Sequence, residues 1–575
     1  MIADPPTESR WIAPARQRAA EQRLATELGI PPLACAALVA RGIEDPAAAE
    51  AFLNPSLEDL HDPLELPDAE AAVREIMSAK ERGEIIYVHG DYDVDGVTSA
   101  AIWTRSLRKL GFNVVPHVPH RMKEGYGIHE TAVQAAVDAG AKLFVTCDCG
   151  SGAISSLAKA REAGLRVVVT DHHELGTELP TVNALVNPHR PDSAYPFKEL
   201  CGAGVAFKIA QAVAEECGAK RKHFVRAYLD LVCLGTIADV VPLVGENRIL
   251  ASHGLEALTV TKKVGIRALL DVAQIAGRAV NEGDVGWKLG PRLNAAGRID
   301  DAAHSLDLLM TEDPIEAAKL AQRLNTHNVE RKLEHERILA QAEEIILENG
   351  LDKRSLIMVA APGWHPGVVG IVAGKLVERY YRPALVGCID EETGTVRGSA
   401  RSIPTFHMHR ALQKHEDLFL SCGGHAFAAG FAIDAGRLDE VRSKLEEYAA
   451  GILSSDDLVP TYSADGVIET TEIDLQGFLG LERMAPFGQM NPEPAFILKD
   501  CALSMVKPTR TQEHVQFAIE CGKQVRGIAF GMGQQFGGLQ EGDSVDLLFK
   551  ATVNRYNGTM APKLELKALR SVSPR

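Results

Sequence analysis

The chain has 575 residues, 46% of them hydrophobic and 24% charged, which is the composition of a globular protein too long for a single core. A formal net charge of −16 excludes a protein that coats nucleic acid with its whole surface, so any such binding must be local. Neither an apolar run of about 18 residues nor a secretory signal at Met1 to Arg10 is present, and the ten cysteines form no CxxC pair, so we expect no membrane span and a cytoplasmic protein.

The first eighty residues are rich in Ala and Glu at helical spacing, and we expect residues 1–80 to form a helical cap on the next domain of the chain. From Glu84, short β-branched runs alternate with helical segments, including a helix from about Val97 to Leu110. The expected strands are Ile85 to Val88, Leu143 to Thr146 and Val167 to Thr170. This alternation predicts an α/β domain with a parallel sheet over residues 81–305.

A polar segment with helical spacing occupies residues 306–350, with Asp313 as its expected N-cap and Pro314 at the first helical position. We interpret it as a connecting helix. A second α/β domain is expected over residues 351–455. Its expected features are strands at Leu356 to Ala360 and Ala384 to Val386 and glycine-rich turns at Gly398 and Gly423-Gly424.

Residues 456–575 carry mainly β signals, with Asn557-Gly558 as a hairpin turn, and predict a small β-barrel. The expected strands are Val515 to Ile519, Val525 to Phe530, Val545 to Val553 and Lys563 to Leu569. From Phe496 to Arg575 there are eleven Lys and Arg against seven Asp and Glu. This local positive charge permits nucleic-acid binding at the C-terminal end of the chain.

Acidic and imidazole side chains follow three strands of the predicted parallel sheet. They are His89, Asp91, Asp93 and Asp95 after the first strand, Asp148 after the second, and Asp171, His172 and His173 after the third. Because side chains two apart in an extended stretch point the same way, Asp91, Asp93 and Asp95 are expected to converge. The alternative is an acidic turn that merely begins a helix, with Asp95 as its N-cap.

The carboxyl ends of parallel strands lie along one edge of a sheet, so these side chains are expected to share one crevice. Asp239 is a further candidate for the same site. Carboxylates and imidazoles without a thiolate cluster suit Mn²⁺ or Mg²⁺ better than structural zinc. Two such ions would activate water and stabilise a leaving oxygen, which predicts phosphoester hydrolysis.

The segments Asp91 to Gly96, Asp148 to Gly150, Asp171 to His173 and Gly235 to Asp239 resemble the DHH phosphoesterase superfamily. Five further segments, in order along the chain, resemble the bacterial RecJ family of single-strand-specific 5′ exonucleases. They are Gly290 to Arg298, Trp364 to Gly370, Arg397 to Ser402, Gly423 to His425 and Pro486 to Pro494. One departure is Val94, where the family often has Ala.

The resemblance implies a two-ion site. His89, Asp93 and Asp148 would hold one ion, and Asp95, Asp148, His172 and Asp239 the other, with Asp148 as the bridge. Asp91 would assist from outside the ligand set, and His173 and Arg298 would face the scissile phosphate.

The resemblance also implies a DHH-associated domain (DHHA1) and a C-terminal OB-fold. Ser399 and Arg401, with Arg121 from the first domain, would bind the 5′ phosphate, and His425 would line the cleft between the domains. Arg292 and Asn294 would contact substrate. In the barrel, Lys550, Arg555 and Tyr556 are candidate DNA contacts, and Phe517, Phe530 and Phe549 are further stacking candidates unless they belong to the core.

The function implied is 5′ to 3′ hydrolysis of single-stranded DNA in DNA repair and recombination, by a monomer whose substrate strand passes between the two α/β domains. Single-stranded-DNA-binding protein and a RecQ-type helicase are the implied partners. One alternative is a DHH phosphodiesterase of short oligonucleotides or cyclic dinucleotides. Another is a non-catalytic scaffold, which would have lost metal ligands, whereas here every expected position is filled.

Overall fold

The computed structural model describes residues 9–120 and 127–572, which divide into two compact units. The first unit contains Asn54–Arg331 and Pro486–Pro492, and the second contains the rest of the chain. None of the helices in the described residues has both the length and the apolar character needed to cross a membrane.

The chain begins with one strand and three helices of the second unit: β1 (Arg10–Ile12), α1 (Arg18–Leu28), α2 (Pro32–Ala40) and α3 (Pro46–Leu53). The strands of the first unit are β2 (Ile85–Gly90), β3 (Asn113–His117), β4 (Ala141–Cys147), β5 (Arg166–Thr170) and β6 (Ala184–Val186). Its helices are α4 (Ala69–Glu81), α5 (Val94–Lys109), α6 (Glu130–Asp138), α7 (Ile154–Glu162), α8 (Gly202–Glu216), α9 (Arg221–Ala238), α10 (Gly245–Thr259), α11 (Val264–Val272), α12 (Glu282–Asp284), α13 (Gly290–Ile299) and α14 (Ala303–Met310). Helix α15 (Pro314–Glu348) runs from the first unit into the second.

The second unit continues with an α/β segment. Its strands are β7 (Ile357–Pro362), β8 (Ala384–Asp390), β9 (Thr395–Arg401), β10 (Ser421–Gly424) and β11 (Ala428–Asp434), and its helices are α16 (Val369–Tyr380), α17 (Met408–Lys414) and α18 (Leu438–Ile452). The last elements are β12 (Thr461–Ser463), β13 (Gly466–Ile468), α19 (Leu475–Glu482), β14 (Ala495–Pro508), β15 (Val515–Glu520), β16 (Gln524–Ala529), β17 (Ser544–Tyr556) and β18 (Thr559–Ser571).

The sheet of the first unit is parallel throughout, with the strand order β3-β2-β4-β5-β6, as the βαβ pattern predicts. Its register places Gly90 beside Cys147, and Cys147 beside Thr170. The carboxyl ends of β2, β4 and β5 are therefore level with one another. Helices α5 and α8 cover one face of this sheet, and Trp103 of α5 is fully buried there.

Helix α5 begins earlier than the sequence suggests. Its N-cap is Asp93, whose Oδ1 accepts hydrogen bonds from the backbone N–H groups of Asp95 (2.9 Å) and Gly96 (3.2 Å). The alternative interpretation, in which Asp95 is the N-cap, is therefore wrong about the capping residue. Because β2 ends at Gly90 and the helix starts at Val94, Asp91 to Asp95 are not an extended stretch, and strand alternation does not bring their side chains together.

The N-terminal helices do not form one cap on the domain after them. Helices α1 to α3 belong to the second unit, where β1 pairs in parallel with β12, whereas α4 packs on the parallel sheet of the first unit. Pairing between strands so distant in sequence leaves no local signal, because it depends on which edge the folded partner exposes.

The long helix follows its local signals closely. The Oδ1 atom of Asp313 accepts a hydrogen bond from the N–H of Ile315 at 2.8 Å, and Pro314 is the first helical residue. Both predictions are confirmed, because an N-cap and an N-terminal proline act within a single turn of backbone.

The five-stranded sheet of the α/β segment in the second unit contains both parallel and antiparallel pairs, with the strand order β10-β11-β9-β8-β7. Only β7 and β8 pair in parallel within it. The expected turns at Gly398 and Gly423-Gly424 are wrong, since Gly398 lies inside β9 and the other two glycines lie in β10. A Cβ atom on Gly398 would lie 2.4 Å from Cζ of Phe431, so glycine there makes room for a packed ring.

The C-terminal strands form a barrel that closes where β14 pairs with β17. The predicted hairpin turn joins β17 to β18, with positive φ at both Asn557 (48°) and Gly558 (75°). Strand β14 was not predicted, because an irregular register between Leu498 and Cys501 interrupts its pattern. Phe517 and Phe549 are fully buried, so the prediction that they stack on bases is wrong. Phe530 (50% exposed) and Tyr556 (71% exposed) lie at the surface.

Candidate metal centre and phosphate pocket

Three overlapping groups of carboxylate and imidazole atoms lie at the carboxyl edge of the parallel sheet. Within each group the atoms that could bind a metal lie within 4.8 Å of one another. The groups are Asp91, Asp93 and Asp148; Asp95, His172 and Asp239; and Asp148, His172 and His173. Asp148 and His172 each belong to two groups, so these seven side chains form one continuous site.

Asp148 occupies a constrained position directly after β4. Its φ angle of 62° is in the left-handed region, which few residues other than glycine adopt. The backbone N–H of Asp148 donates to the carbonyl oxygen of Thr170 at 3.0 Å. This bond extends the ladder between β4 and β5 by one residue and holds the carboxylate at the edge of the sheet.

The N-terminus of α8 holds the carboxylate of Asp95. The N–H of Gly202 donates to Oδ2 at 2.6 Å and that of Ala203 donates to Oδ1 at 2.8 Å. A Cβ atom at position 202 would lie 2.5 Å from Cβ of Asp148, so only glycine allows this approach. The sequence does not predict this helix start, because its local signal is weak: two glycines around Ala203.

Electrostatic repulsion within the site is strong. Burial, followed by the charge of Asp95, raises the pKa of Asp93, Asp148 and Asp239 above the ordinary range of a carboxyl group. Among the described residues, the ion pairs of Asp95, Asp148 and Asp239 are with His172 and His173 alone. Such a cluster binds a hard divalent cation favourably, because the cation removes the repulsion.

His172 supplies the clearest test of whether an ion fits. Its Nε2 atom lies 3.1 Å from Oδ1 of Asp148, 3.6 Å from Oδ2 of Asp239 and 3.7 Å from Oδ2 of Asp95. Both Nε2 of His172 and Oδ1 of Asp148 are buried, and neither makes a hydrogen bond to a described residue. Burial lowers the pKa of His172, which favours the neutral imidazole that binds metals. These donor atoms fit a divalent ion.

Asp171 organises the two histidines that follow it. Its carboxylate accepts hydrogen bonds from the N–H of Ser151, the N–H of His172 and Nδ1 of His173, each at 2.8 Å. Burial opposes charge on His173, but the hydrogen bond and charge of Asp171 outweigh it and raise the pKa of His173 to about 9. The sequence places Asp171 in this crevice together with the two histidines but assigns it no role, and the structure shows that its carboxylate orients them.

His89 is adjacent to the groups and belongs to none of them. Burial, with the nearby His117, lowers the pKa of His89 to about 3, so its imidazole is neutral. Neither ring nitrogen makes a hydrogen bond of normal geometry within the described residues. The first group was expected to contain His89, with Asp91 outside the ligand set. In the structure it contains Asp91 and not His89.

Helix α13 carries the predicted substrate residues Arg292, Asn294 and Arg298. The Oδ1 atom of Asn294 accepts a hydrogen bond from the N–H of Val94 at 3.1 Å, so this side chain holds the first turn of α5. Arg292 donates to Oδ1 of Asn325 (3.0 Å) and to the carbonyl oxygen of Lys288 (2.8 Å). Arg298 is half-buried. The Asn294 contact connects α13 to the acidic turn after β2, and the Asn325 contact connects it to α15.

A second polar site lies in the second unit. Ser399 and Arg401 project from β9 toward Gly370, in the first turn of α16. A Cβ atom on Gly370 would lie 3.2 Å from Oγ of Ser399 and 3.5 Å from Nη2 of Arg401. A hydroxyl, a guanidinium and a helix N-terminus thus converge where a side chain is missing, which suits an anion.

Three further predicted substrate contacts, His425, Lys550 and Arg555, lie in the second unit. His425 is exposed directly after β10, and its N–H donates to the carbonyl oxygen of Ala428 at 2.7 Å. Arg121 lies outside the described residues. Lys550 and Arg555 form ion pairs with Glu493 and Glu482, so DNA would have to displace these carboxylates.

Models of three domain families match the chain. The DHH family N-terminal domain matches residues 85–236, the DHHA1 domain residues 353–451 and the RecJ OB domain residues 464–568. The single-stranded-DNA-specific exonuclease RecJ of Bacillus subtilis is 38% identical over 563 residues, which is 98% of this chain and 71% of that protein. The chain belongs to the RecJ family.

Two solved RecJ structures are similar over nearly the whole chain. RecJ from Thermus thermophilus in complex with Mn²⁺ has a TM-score of 0.85 and 31% identity, covering 98% of this chain and 80% of that one. RecJ from the same organism in complex with Mg²⁺ has a TM-score of 0.78 and 30% identity, covering 98% and 79%. These RecJ proteins bind Mn²⁺ or Mg²⁺, the ions that suit the carboxylates and imidazoles found here.

Proposed function

We propose that this protein hydrolyses the phosphodiester bonds of single-stranded DNA from the 5′ end, with two divalent ions, Mn²⁺ or Mg²⁺, in the site around Asp148. One observation carries the proposal: the buried Nε2 atom of His172 lies within 3.7 Å of three carboxylates that come from separate segments of the chain. We also propose a role in DNA repair and recombination, because the chain belongs to the RecJ family.

The proposed ligands divide into two sets that share Asp148. The first set contains Asp93 and Asp148, with Asp91 in the same group and His89 beside it. The second set contains Asp95, Asp148, His172 and Asp239. The placement of Asp91 supports a direct ligand role for it. Two bound cations would activate a water molecule and stabilise the leaving oxygen.

The residues around the ions have separate tasks. The carboxylate of Asp171 accepts a hydrogen bond from Nδ1 of His173 and fixes the orientation of the imidazole ring, which is proposed to face the scissile phosphate. A protonated His173 and the guanidinium of Arg298 would stabilise the charge that develops on phosphate oxygens. Asn294 fixes the first turn of α5 and so positions Asp93 and Asp95.

The pocket of Ser399, Arg401 and Gly370 is proposed to bind the 5′ phosphate, with Arg121 as a further contact by resemblance. Bidentate donation by a guanidinium recognises a terminal phosphate well. Arg292, His425, Lys550, Arg555 and Tyr556 are proposed as contacts along the strand. Tyr556 has the strongest support, because its ring is exposed and offers a stacking surface.

The cellular setting is proposed from family membership. We place the protein in the cytoplasm as a monomer that acts with single-stranded-DNA-binding protein and a RecQ-type helicase. Light scattering during gel filtration would give 62.0 kDa for the monomer, and twice that mass would contradict it. Pull-down of each purified partner, with and without DNA, would test the two interactions.

A degradation assay tests the function. Oligonucleotides of about 20 nucleotides, labelled at the 5′ or the 3′ end, are incubated with Mn²⁺ or with EDTA, as single strands and as blunt duplexes. We expect a labelled mononucleotide at once from the 5′ label, a descending ladder from the 3′ label, and no reaction with EDTA. Equal cleavage of blunt duplexes would refute strand specificity. Activity confined to dinucleotides would favour a short-oligonucleotide phosphodiesterase, and binding without cleavage a scaffold.

A further inference from the structure

One face of α15 carries two polar side chains, each with a buried atom that has no hydrogen-bond partner among the described residues. The helix packs into the core of the first unit through Ala317, Ala321 and Leu324, and the same face continues at Asn328 and Arg331. Asn328 is only 1% exposed. Its Oδ1 atom and the Nε atom of Arg331 are buried, and neither makes a hydrogen bond to a described residue.

Arg331 also has no counter-charge within the described ranges 9–120 and 127–572. Within the part of the chain that the structure describes, it forms no ion pair, since Glu334, its neighbour one turn along, pairs with Arg337 at 2.6 Å. Burial lowers the pKa of the Arg331 guanidinium. A half-buried cation without a carboxylate is costly, and an anionic ligand would offset that cost. Unsatisfied buried polar groups are rare enough in folded proteins to require an explanation.

This face is connected to the substrate residues of α13. Asn325, one turn before Asn328, accepts a hydrogen bond from Nε of Arg292. Helix α13 in turn holds the acidic turn after β2 through Asn294. Asn328 and Arg331 therefore lie on an element that already contacts the helix of Arg292 and Arg298.

We infer that Asn328 and Arg331 form a nucleotide-binding subsite for the substrate strand, separate from the metal centre and from the pocket around Arg401. The chemistry of a nucleotide is complementary to both groups. A phosphodiester oxygen accepts from the guanidinium, and a base N–H donates to the amide oxygen. The inference rests on the proposed function, because it takes single-stranded DNA as the ligand.

Binding is measured first. Arg331→Met is titrated into a fluorescent single strand by anisotropy in EDTA, and its kinetics are followed with Mn²⁺. We expect Kd and KM to rise about ten- to a hundredfold with kcat nearly unchanged, and the slope of log Kd against log salt to fall by about one. Lys332→Met is the matched control, because it removes the same charge from the adjacent exposed position. An equal effect of the two substitutions would overturn the inference.

A chemical scan locates the contact. Each phosphodiester of the strand is replaced in turn by a neutral methylphosphonate. Wild-type protein should lose affinity at the linkage that faces Arg331, and Arg331→Met should be insensitive at that linkage alone. If the variant keeps the full pattern of sensitivity, Arg331 binds no phosphate.

Thermal unfolding separates a binding role from a structural one. Arg331→Met and Asn328→Leu remove unsatisfied polar atoms, so the Tm of the DNA-free protein should stay the same or rise while affinity falls. A Tm lowered by several degrees together with the loss of binding would assign both residues to helix packing and overturn the inference. If wild-type protein neither binds nor cleaves single strands, the proposed function fails in the control and the inference falls with it.

Discussion

The carboxylate of Asp95 accepts the backbone N–H of Gly202 at 2.6 Å, across a separation of 107 positions in the chain. This contact places the N-terminus of α8 against an acidic ligand, and the partial positive charge there stabilises the carboxylate. It also brings the Cα of Gly202 so close to Asp148 that no side chain fits. One glycine therefore fixes the relative positions of the proposed second-ion ligand and the proposed bridge.

Gly202→Ala should lower the hydrolysis rate by about a hundredfold or more, because a methyl group 2.5 Å from Cβ of Asp148 must displace that carboxylate. Initial rates on a labelled single strand would measure the loss. Gly152→Ala is the control, because its methyl group meets nothing within 4 Å. Equal rates for wild type and Gly202→Ala would contradict the geometry described.

Asp148→Ala should abolish hydrolysis and leave the fold intact, because the proposed bridging ligand serves both ions. Removing one member of a repelling cluster should also keep or raise the Tm of the metal-free protein. Thermal unfolding with and without Mn²⁺ would show that the stabilisation by metal is lost. Retained activity in Mn²⁺ would refute the assignment. Asp192→Ala, at an exposed ion pair with Arg190, is a suitable control.

The contact between Asp171 and His173 should make the stability of the metal-free protein depend on pH. The pKa of His173 is raised to about 9 in the fold. The stability that protonated His173 contributes through Asp171 is fully present below the ordinary imidazole pKa of about 6.5. It is lost as the pH rises through about 9. In EDTA, the Tm of wild-type protein should fall over this range, and the fall should shrink in Asp171→Asn. Identical profiles for the two proteins would exclude the pair as its source.

Arg401→Gln should weaken binding to 5′-phosphorylated single strands by about ten- to a hundredfold, because a charged hydrogen-bond donor is lost. Binding to strands with a 5′ hydroxyl should change little. Kd values for both ends would be measured in EDTA, with Lys444→Gln on the exposed face of α18 as the charge-matched control. An equal loss for both kinds of end would place the phosphate pocket elsewhere.

The barrel aromatics should separate into two classes. Tyr556→Ala should raise Kd for single strands by about fivefold or more without changing Tm, because its exposed ring offers a stacking surface. Phe549→Ala should instead cost about 3–5 kcal/mol of unfolding free energy, because this ring is fully buried in the barrel. Urea titration and anisotropy would measure the two effects. A Tyr556→Ala variant with wild-type affinity would remove Tyr556 from the proposed DNA contacts.

Much of the architecture was predictable because its signals act over a few residues. The β-branched runs that end in acidic and imidazole residues marked β2, β4 and β5, Asp313 and Pro314 marked the start of α15, and Asn557-Gly558 marked the last hairpin. The motifs also identified the residues that now lie together at the sheet edge. Parallel strands place their carboxyl ends together whatever the intervening helices contain, so this part of the site followed from local patterns.

Only the folded chain decided which distant groups meet. No local pattern marks the hydrogen bonds from α8 to Asp95, the burial of Phe517 and Phe549 or the place of Gly398 inside a strand. The same holds for the buried Oδ1 of Asn328 and Nε of Arg331, which have no hydrogen-bond partner in the part of the chain that the structure describes. Backbone propensity depends on neighbours in sequence, so the sequence by itself determined the elements and the chemistry available at their ends. Contacts between side chains depend on packing across long separations, where burial and close approach select one arrangement from many with similar local energy.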